Sequence, residues 1–494
     1  MIKIFRPFLV LLFCLNSYIN VYAQNNILSD IKYQVGTGAY VSGKTPFWMR
    51  ANQYGIVPQQ GPFFTLQGGV YREYDSTKRD FKQIKKFDIG YGASVVVNAA
   101  KQSQLLLPEV YAKIRYGAFE FYAGRRKEII GLTDTLLNPG SYIWSGNALP
   151  LPKVQISIPN YTSIIGKGLI SIKGAYAHGW FGNQAYTDGY YLHQKWLYGK
   201  VGRDSWKFNF YGGINHQVQW GGYAEAQKDN TFSTKNGYFS ADPFVYLNVV
   251  LPIAWRIPND GTYTDFETQN RFGNHLGSVD FGVSMKTAFA NISFYRQIPY
   301  EDGQMPEVIL SMDGNYSLNF DLKEKKQLHQ ISFGYLDTRR QAGELTKFAR
   351  WVGKKETHFG EFQNYFNHGQ YIEGWSYQGN GIGTPLIIPN KDLKENAQFF
   401  PDRIFTVDNR VQAYSIAATG KLGNYGYLFK SSLITSLGTP SFVREKSLKQ
   451  FSSLLALNIP LEKLKLDSKI NIAFDSGELY GNNIGISFFI VKKW

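Results

Sequence analysis

The stretch WKFNFYGGINHQVQW, Trp206 to Trp220, decides the fold. Trp206, Phe208, Phe210, Gly212, Ile214, Val218 and Trp220 fall on one side of an extended chain. Lys207, Asn209, Tyr211, Asn215, Gln217 and Gln219 fall on the other. Period-2 alternation marks a strand with one apolar and one polar face, which suits a sandwich or a membrane barrel equally. Length separates the two. Its fourteen steps at ~3.3 Å give roughly 46 Å, or ~33 Å along a membrane normal at a tilt of about 45°. A globular strand is typically only ~5–6 residues long. A Trp near each end matches the aromatic girdles of a membrane-spanning strand. His216 is the exception on the apolar face, and it asks for a bulge at Gly212–Gly213 or a place close to the interface.

The same alternation recurs along the chain. Phe87, Ile89, Tyr91, Ala93, Val95 and Val97 oppose Asp88, Gly90, Gly92, Ser94, Val96 and Asn98. Val279, Phe281, Val283 and Met285 oppose Ser278, Asp280, Gly282 and Ser284, and Leu466, Ile470, Ile472 and Phe474 oppose Asp467, Lys469, Asn471 and Asp475. Strand candidates centre near residues 36, 68, 92, 111, 122, 156, 172, 196, 212, 247, 281, 293, 312, 332, 415, 430, 454, 471 and 488, so about 18 strands are expected, an even number suiting a closed barrel. Short turns at Tyr116–Phe119, Lys286–Phe289 and Leu461–Leu464 contrast with long interruptions at Gly221–Pro243 and Arg340–Asn409. The expectation is an all-β chain forming one closed antiparallel transmembrane barrel, with loops that fill the lumen or stand outside it. Its final stretch, GNNIGISFFIVKKW, is expected to pair with the first strand near Val35–Val41, with Ile484, Ile486, Phe488 and Ile490 on lipid. Phe488, Ile490 and the terminal Trp494 are the candidate closure and assembly signal. Lys492 stands where an apolar residue is usual, and its stem would snorkel to the headgroups.

The N-terminus reads as a secretory signal. Lys3 and Arg6 precede an apolar run from Pro7 to Leu15, and VYA ends at Ala23 with small residues at −3 and −1. The run is too short to span a bilayer as a helix. The expected division is 1–23 signal and 24–494 barrel, exported to the outer membrane and built by a single chain as a monomer. Cys14 is the sole cysteine, so the mature chain has no disulfide, thiolate metal site or thiol nucleophile. A closed sheet supplies the cohesion instead. With 10 Trp, 34 Tyr and 36 Phe, the chain is rich in residues that favour strands and membrane interfaces. Its formal charge is +15, falling to +13 without Lys3 and Arg6. That excess suits lipid phosphates or acidic sugars, and export argues against nucleic acid.

Motifs for chemistry fail on context. GAYVSGKT, Gly38 to Thr45, has the spacing of a phosphate-binding loop. That motif needs a buried strand, a backbone nest and a following helix, whereas here an aromatic-rich strand runs straight into Pro46. Neither G-x-S-x-G nor H-E-x-x-H occurs. The seven His show no ligand spacing, so no metal, cofactor or catalytic residue is assigned. His216 beside Asn215 is the one suggestive site for a lipid hydrolase, because triads are set by geometry rather than order.

Two long stretches do not read as strands, Gly124–Pro159 and Asn364–Asn390. Both mix Gly, Pro, Trp and Tyr, and long ordered loops of this kind are often functional. Trp375, Tyr371, Tyr377, Trp144 and Trp48 are candidates for stacking on sugar rings. Arg125, Arg126, Lys127 and Arg50 are candidates for uronate or phosphate groups. The competing expectation is that these segments plug the lumen, with the Arg residues paired to lumen acids.

TPFWMRANQYGIVP (45–58), AGRRKEIIGLTD (123–134), SYIWSGNALPLPKVQISIP (141–159), GLISIKGAYAHGWFGN (168–183), FYGGINHQVQWGG (210–222) and NHGQYIEGWSYQGNGIGTP (367–385) together resemble the Wzi-type capsule-assembly family, in the version found in Bacteroidota. The resemblance runs in order through most of the mature chain. It implies an outer-membrane barrel that attaches capsular or other surface polysaccharide to the cell without catalysis, with outer-membrane lipid and the barrel-insertion machinery as further partners. A passive or substrate-selective porin is the alternative, with the lipid hydrolase behind it.

Overall fold

In the computed structural model, residues 31–74, 86–251, 257–301, 311–342, 363–399 and 404–494 are described. The stretch 1–23, expected to be a secretory signal, lies outside them, and Cys14 with it. The elements in chain order are β1 (Ile31–Val41), α1 (Phe47–Arg50), β2 (Phe63–Arg72), β3 (Phe87–Ala99), β4 (Gln104–Tyr116), β5 (Phe119–Arg125), β6 (Lys153–Ile165), β7 (Ile170–Gly182), β8 (Tyr190–Val201) and β9 (Phe208–Trp220). Then come α2 (Pro243–Val250), α3 (Asp265–Gln269), β10 (Asn274–Lys286), β11 (Ala290–Glu301), β12 (Gly314–Leu322), β13 (Leu328–Asp337), a small hairpin of β14 (Ser376–Tyr377) and β15 (Asn380–Gly381), β16 (Val411–Leu422), β17 (Tyr425–Gly438), β18 (Val443–Leu461), β19 (Leu466–Gly477) and β20 (Asn483–Lys493).

Leaving out the hairpin, the strands form one 18-stranded antiparallel sheet in which each pairs with its neighbours in sequence and β20 pairs back onto β1. Closure matters physically, since every backbone N–H or C=O left bare in hydrocarbon costs several kcal/mol. The seam runs from Gln34↔Lys493 to Val41↔Ile486, where the terminal strand was expected to close. Phe489 lies across it. Cβ atoms built on Gly36 and Gly38 would come within 2.7 and 2.4 Å of its ring, so only glycine fits beneath.

Burial runs opposite to that of a soluble protein. On β3, Phe87, Ile89, Val95 and Val97 are exposed while Asp88, Ser94 and Asn98 are buried. On β20, Ile484, Ile486 and Phe488 are exposed while Gly485 and Ser487 are buried. Exposed apolar side chains with buried polar ones mean an outward face for lipid and a filled, polar interior. The three short turns expected from sequence lie at one end of the barrel. The loops 42–62, 126–152, 221–273 and 338–410 all leave the other end, which is the arrangement that marks the extracellular side.

The structure corrects three expectations. The strand centred near 247 is α2. Its apolar, β-branched run reads as either element, but Asp242 caps it through Phe244 N and Val245 N, and Pro243 sits in the first turn. The interruption after β9 therefore runs on to Gly273. The strand placed near 312 begins at Gly314. No bulge occurs at Gly212–Gly213, since β9 keeps unbroken register with both β8 and β10. His216 does point outward, and it is buried there all the same.

Candidate functional site

Three of the long loops turn inward and build a plug. In the loop after β1, α1 is buried and tied to one wall. Phe47 N donates to Asp475 Oδ2 at 3.0 Å, and Trp48 Nε1 donates to Ser432 Oγ at 3.1 Å. The loop 126–152 is tied to the opposite wall. Leu132 N donates to Asp280 Oδ2 at 2.9 Å, Tyr142 N to Gln297 Oε1 at 2.8 Å, and Gln297 Nε2 to Ser141 Oγ at 2.9 Å. The third loop locks onto the second, with Trp375 Nε1 donating to Ile143 O at 2.8 Å and Ser145 Oγ to Gly383 O at 2.7 Å. Gln219 Nε2 of β9 reaches it too, at Gly374 O, 3.0 Å. One continuous hydrophobic cluster joins all three loops to the inner wall.

Charge inside the plug is paired. Arg126 meets Glu120 at 2.6 Å and Glu128 at 2.7 Å, and Lys153 meets Glu128 at 2.7 Å. Burial works to raise the Glu128 carboxyl, but the Lys153 and Arg126 cations outweigh it and hold it down to about 2. Arg50 pairs with Asp392 at 2.6 Å, and Arg444 with Asp408 at 2.5 Å. Asp392 is likewise held below the ordinary carboxylate range, with Arg50 and Lys391 overcoming its burial. Lys44 of the phosphate-loop-like stretch donates to Asp392 O at 2.6 Å, so that lysine is a plug tie.

The residues singled out from sequence for sugar binding sit within this plug. Trp375 and Tyr371 are 0 % exposed, and Tyr377, Trp144 and Trp48 are also buried. Each ring packs on protein, as where Trp144 tilts against Trp375 at 6.0 Å. Arg125 donates to Tyr377 Oη at 2.9 Å, and Arg50 and Arg126 are in the ion pairs above. As placed, these rings have no open face for a sugar. Of the two expectations for these loops, the plug is the one this packing describes.

The open feature lies at the mouth, where β10 begins and β11 ends. A cavity of about 460 Å³ opens between the loop after β9 and the loop after β13. Phe266 and Ile372 give it apolar wall, while Arg271, Asn364, Asn367 and His368 give it polar groups. Phe266 projects from α3, whose start is fixed by a capping box between Thr264 and Glu267. His368 stands edge-on to it at 5.7 Å. His368 Nδ1 accepts from Gln370 N at 3.2 Å and from Tyr371 N at 3.4 Å, which leaves Nε2 to carry the proton. Burial takes this imidazole down to about 4, so at neutral pH it is an uncharged donor. Aromatic edge, amides and a neutral N–H donor together suit hydroxyl-rich ligands. His368 lay inside a quoted stretch but carried no signal of its own. Phe266 and Arg271 lay between the strand candidates near 247 and 281, in a stretch to which no role was given.

His216 meets His275, Nε2 to Nδ1, at 3.0 Å. Among the described residues no serine or carboxylate bonds to it, so they do not assemble the triad expected of a hydrolase there. Among the described residues, no group of three or more His, Cys, Asp or Glu is placed to hold a metal ion.

No family model matches the chain, and no curated protein matches it in sequence. Solved structures match in shape. The Escherichia coli outer-membrane protein Wzi, described as involved in group 1 capsule assembly and as a carbohydrate-binding β-barrel, aligns over 93% of this chain and 83% of its own, with a TM-score of 0.56 and 12% identity. OprD of Pseudomonas aeruginosa aligns over 94% of this chain and 93% of its own, with a TM-score of 0.44 and 8% identity. OccK5 (OpdH) of the same organism gives 95%, 99%, 0.44 and 8%. At such identities the likeness is one of fold, and the fold is that of the outer-membrane β-barrels.

Proposed function

We propose that this protein is a non-enzymatic barrel of the outer membrane that holds an exported polysaccharide at the cell surface. The observation that carries the reading is a lumen filled from wall to wall by three loops, beneath a mouth that opens a polar, aromatic-edged cavity. Such a build favours holding a ligand over conducting one. The fold shared with Wzi, itself described as carbohydrate binding, supports the same reading. Phe266 offers a ring face, while His368 Nε2 and the amide of Asn364 are donors for hydroxyls. Arg271 supplies the charge an acidic sugar would meet. Trp375, Tyr371, Tyr377, Trp144, Trp48, Arg125, Arg126 and Arg50 act on the ligand indirectly, by keeping the plug that supports the mouth. Trp494, with Phe488 and Ile490, serves as the signal for barrel insertion.

The test is a deletion strain. Cell-associated polysaccharide should fall and released polysaccharide rise, and an unchanged distribution would refute the proposal. Purified barrel should bind the organism's own surface polysaccharide, and Phe266→Ala or His368→Ala should weaken that binding at least tenfold. A large, stable conductance in planar bilayers would instead support a porin.

A further inference from the structure

On β7 to β10 the outward-facing residues form cross-strand rows. Trp180, Tyr191 and Trp220 make the uppermost, an aromatic row of the kind that lies at a membrane interface. The row below holds His178, His193, Val218 and His275. The next holds Tyr176, Lys195, His216 and Gly277, followed by an apolar row with Leu197, Ile214 and Val279. Four imidazoles and an ammonium thus lie on the lipid side of the wall, below its aromatic row. Left bare, they would face acyl chains at a price of several kcal/mol.

They are not bare, because α2 lies against the patch, its Tyr246 ring 6.3 Å from that of His178 and 6.5 Å from that of His193. Val245 and Val249 pack with Val218, Trp220 and Phe272 in a hydrophobic cluster separate from that of the plug. Tyr246 Oη meets Tyr176 Oη at 2.7 Å. The Lys195 ammonium donates to Val250 O at the helix end, where a cation suits the dipole. At the other end Asp242 caps the helix and accepts from the exposed Tyr263 hydroxyl at 3.1 Å, which marks the watery end. Ala241 stands by Gly221 at the strand tops, and Lys195 lies four residues below Tyr191 on its strand. Four residues at ~3.3 Å and about 45° of tilt make a descent of roughly 9 Å. The side of α2 facing away from the barrel is also apolar, with Leu247 47% and Leu251 42% exposed. A helix that is apolar all round needs an apolar partner on both sides.

We infer that α2 lies within the outer leaflet of the membrane, flat against the barrel's outer wall, with Leu247 and Leu251 on lipid acyl chains. The lipid surface is continuous with the band formed by Leu197, Phe210 and Phe281, exposed lower on the same wall. The loop after β9 is thus two things in turn, a mouth element around α3 and a membrane-embedded shield for the His–Lys patch around α2.

Cys14 is the sole cysteine of the sequence, so a Cys14→Ser background makes labelling clean. Single variants Leu247→Cys, Leu197→Cys and Lys228→Cys, each carrying an NBD fluorophore, would be reconstituted in phosphatidylcholine vesicles containing doxyl-labelled lipid. Retention of the barrel is checked by its heat-modifiable mobility on gels. The Leu247 probe should show the blue-shifted emission and doxyl quenching of the Leu197 probe on the lipid-facing wall. Emission and iodide quenching equal to those of the Lys228 probe, in the exposed loop, would overturn the inference. So would a Leu247 probe shielded from both doxyl and iodide, the result expected if a second protein covers the helix. Should Leu247→Cys fail to fold, Leu251→Cys gives the same reading from the next turn.

Discussion

At the scale of single residues, Glu128 is the most exacting part of the plug. Among the described residues it is the only carboxylate paired with both Arg126 and Lys153. Its depressed pKa means that its stabilisation is fully present above the unfolded value of 4.5 and is lost as pH falls toward about 2. The shift corresponds to ~3 kcal/mol. Acid melting of the wild-type plug, followed by protease cleavage within 363–399, should therefore steepen below pH 4.5. Glu128→Gln should be less stable at pH 7 by about 3–5 kcal/mol, because two buried cations lose their partner, and it should lack that acid slope. Trp375 makes a complementary case. Trp375→Ala should loosen the plug by ~3–5 kcal/mol, so any loss of polysaccharide binding would come with greater protease sensitivity. His368→Ala should lose binding with the plug still resistant. The residue scale is also where sequence reading fell shortest. An exposed Trp for a sugar and a buried Trp for a plug look alike in a string of letters, since both occur in Gly- and Pro-rich loops. His368 is defined as a donor only by two backbone amides that the fold brings to its other nitrogen.

At the scale of elements, the strands were legible and the helix was not. Alternation, even count and turn placement came straight from β3, β9, β10 and β19, because a wall between lipid and a filled lumen imposes period 2 on every strand. α2 defeated the same reasoning. Its run PFVYLNVV is β-branched and apolar, and only the Asp-Pro before it speaks for a helix. Asp242→Ala should cost about 1 kcal/mol of helix stability, measurable as faster amide exchange across 244–250. The seam offers a sharper test. Gly38→Ala sets a methyl 2.4 Å from the Phe489 ring and 2.8 Å from Phe488 O, and overpacking of that sort costs typically 1–3 kcal/mol. The variant barrel should unfold at lower temperature on heat-modifiability gels, and pairing it with Phe489→Leu should restore part of the loss.

At the scale of the whole molecule, plug and wall act as one body. The wall supplies Asp280, Gln297, Ser432 and Asp475, and the loops bind them from within. The intact barrel should give no stable conductance in a planar bilayer, while removal of 363–399 should produce one. Conductance by the intact protein would show that the plug leaves a path. The overall architecture followed from sequence because a membrane restricts it to so few forms. A plug was one of the two expectations for the stretches after β5 and β13, but the share of the loop after β1 in it and the contacts that lock it were not legible, because those contacts join residues hundreds of positions apart and no local pattern records them.

The pairing of β20 with β1 has a consequence in time. The seam joins the two ends of the described chain, so the last closing step waits until the final strand has been made. Every earlier strand must remain without its completed ring until then. Long-range antiparallel pairing is slow, and unpaired edges invite aggregation. A chain of this design depends on being kept apart from its own kind between synthesis and closure. A defect in the last eleven residues of β20 would thus show itself first as aggregated precursor, before any change in the finished barrel.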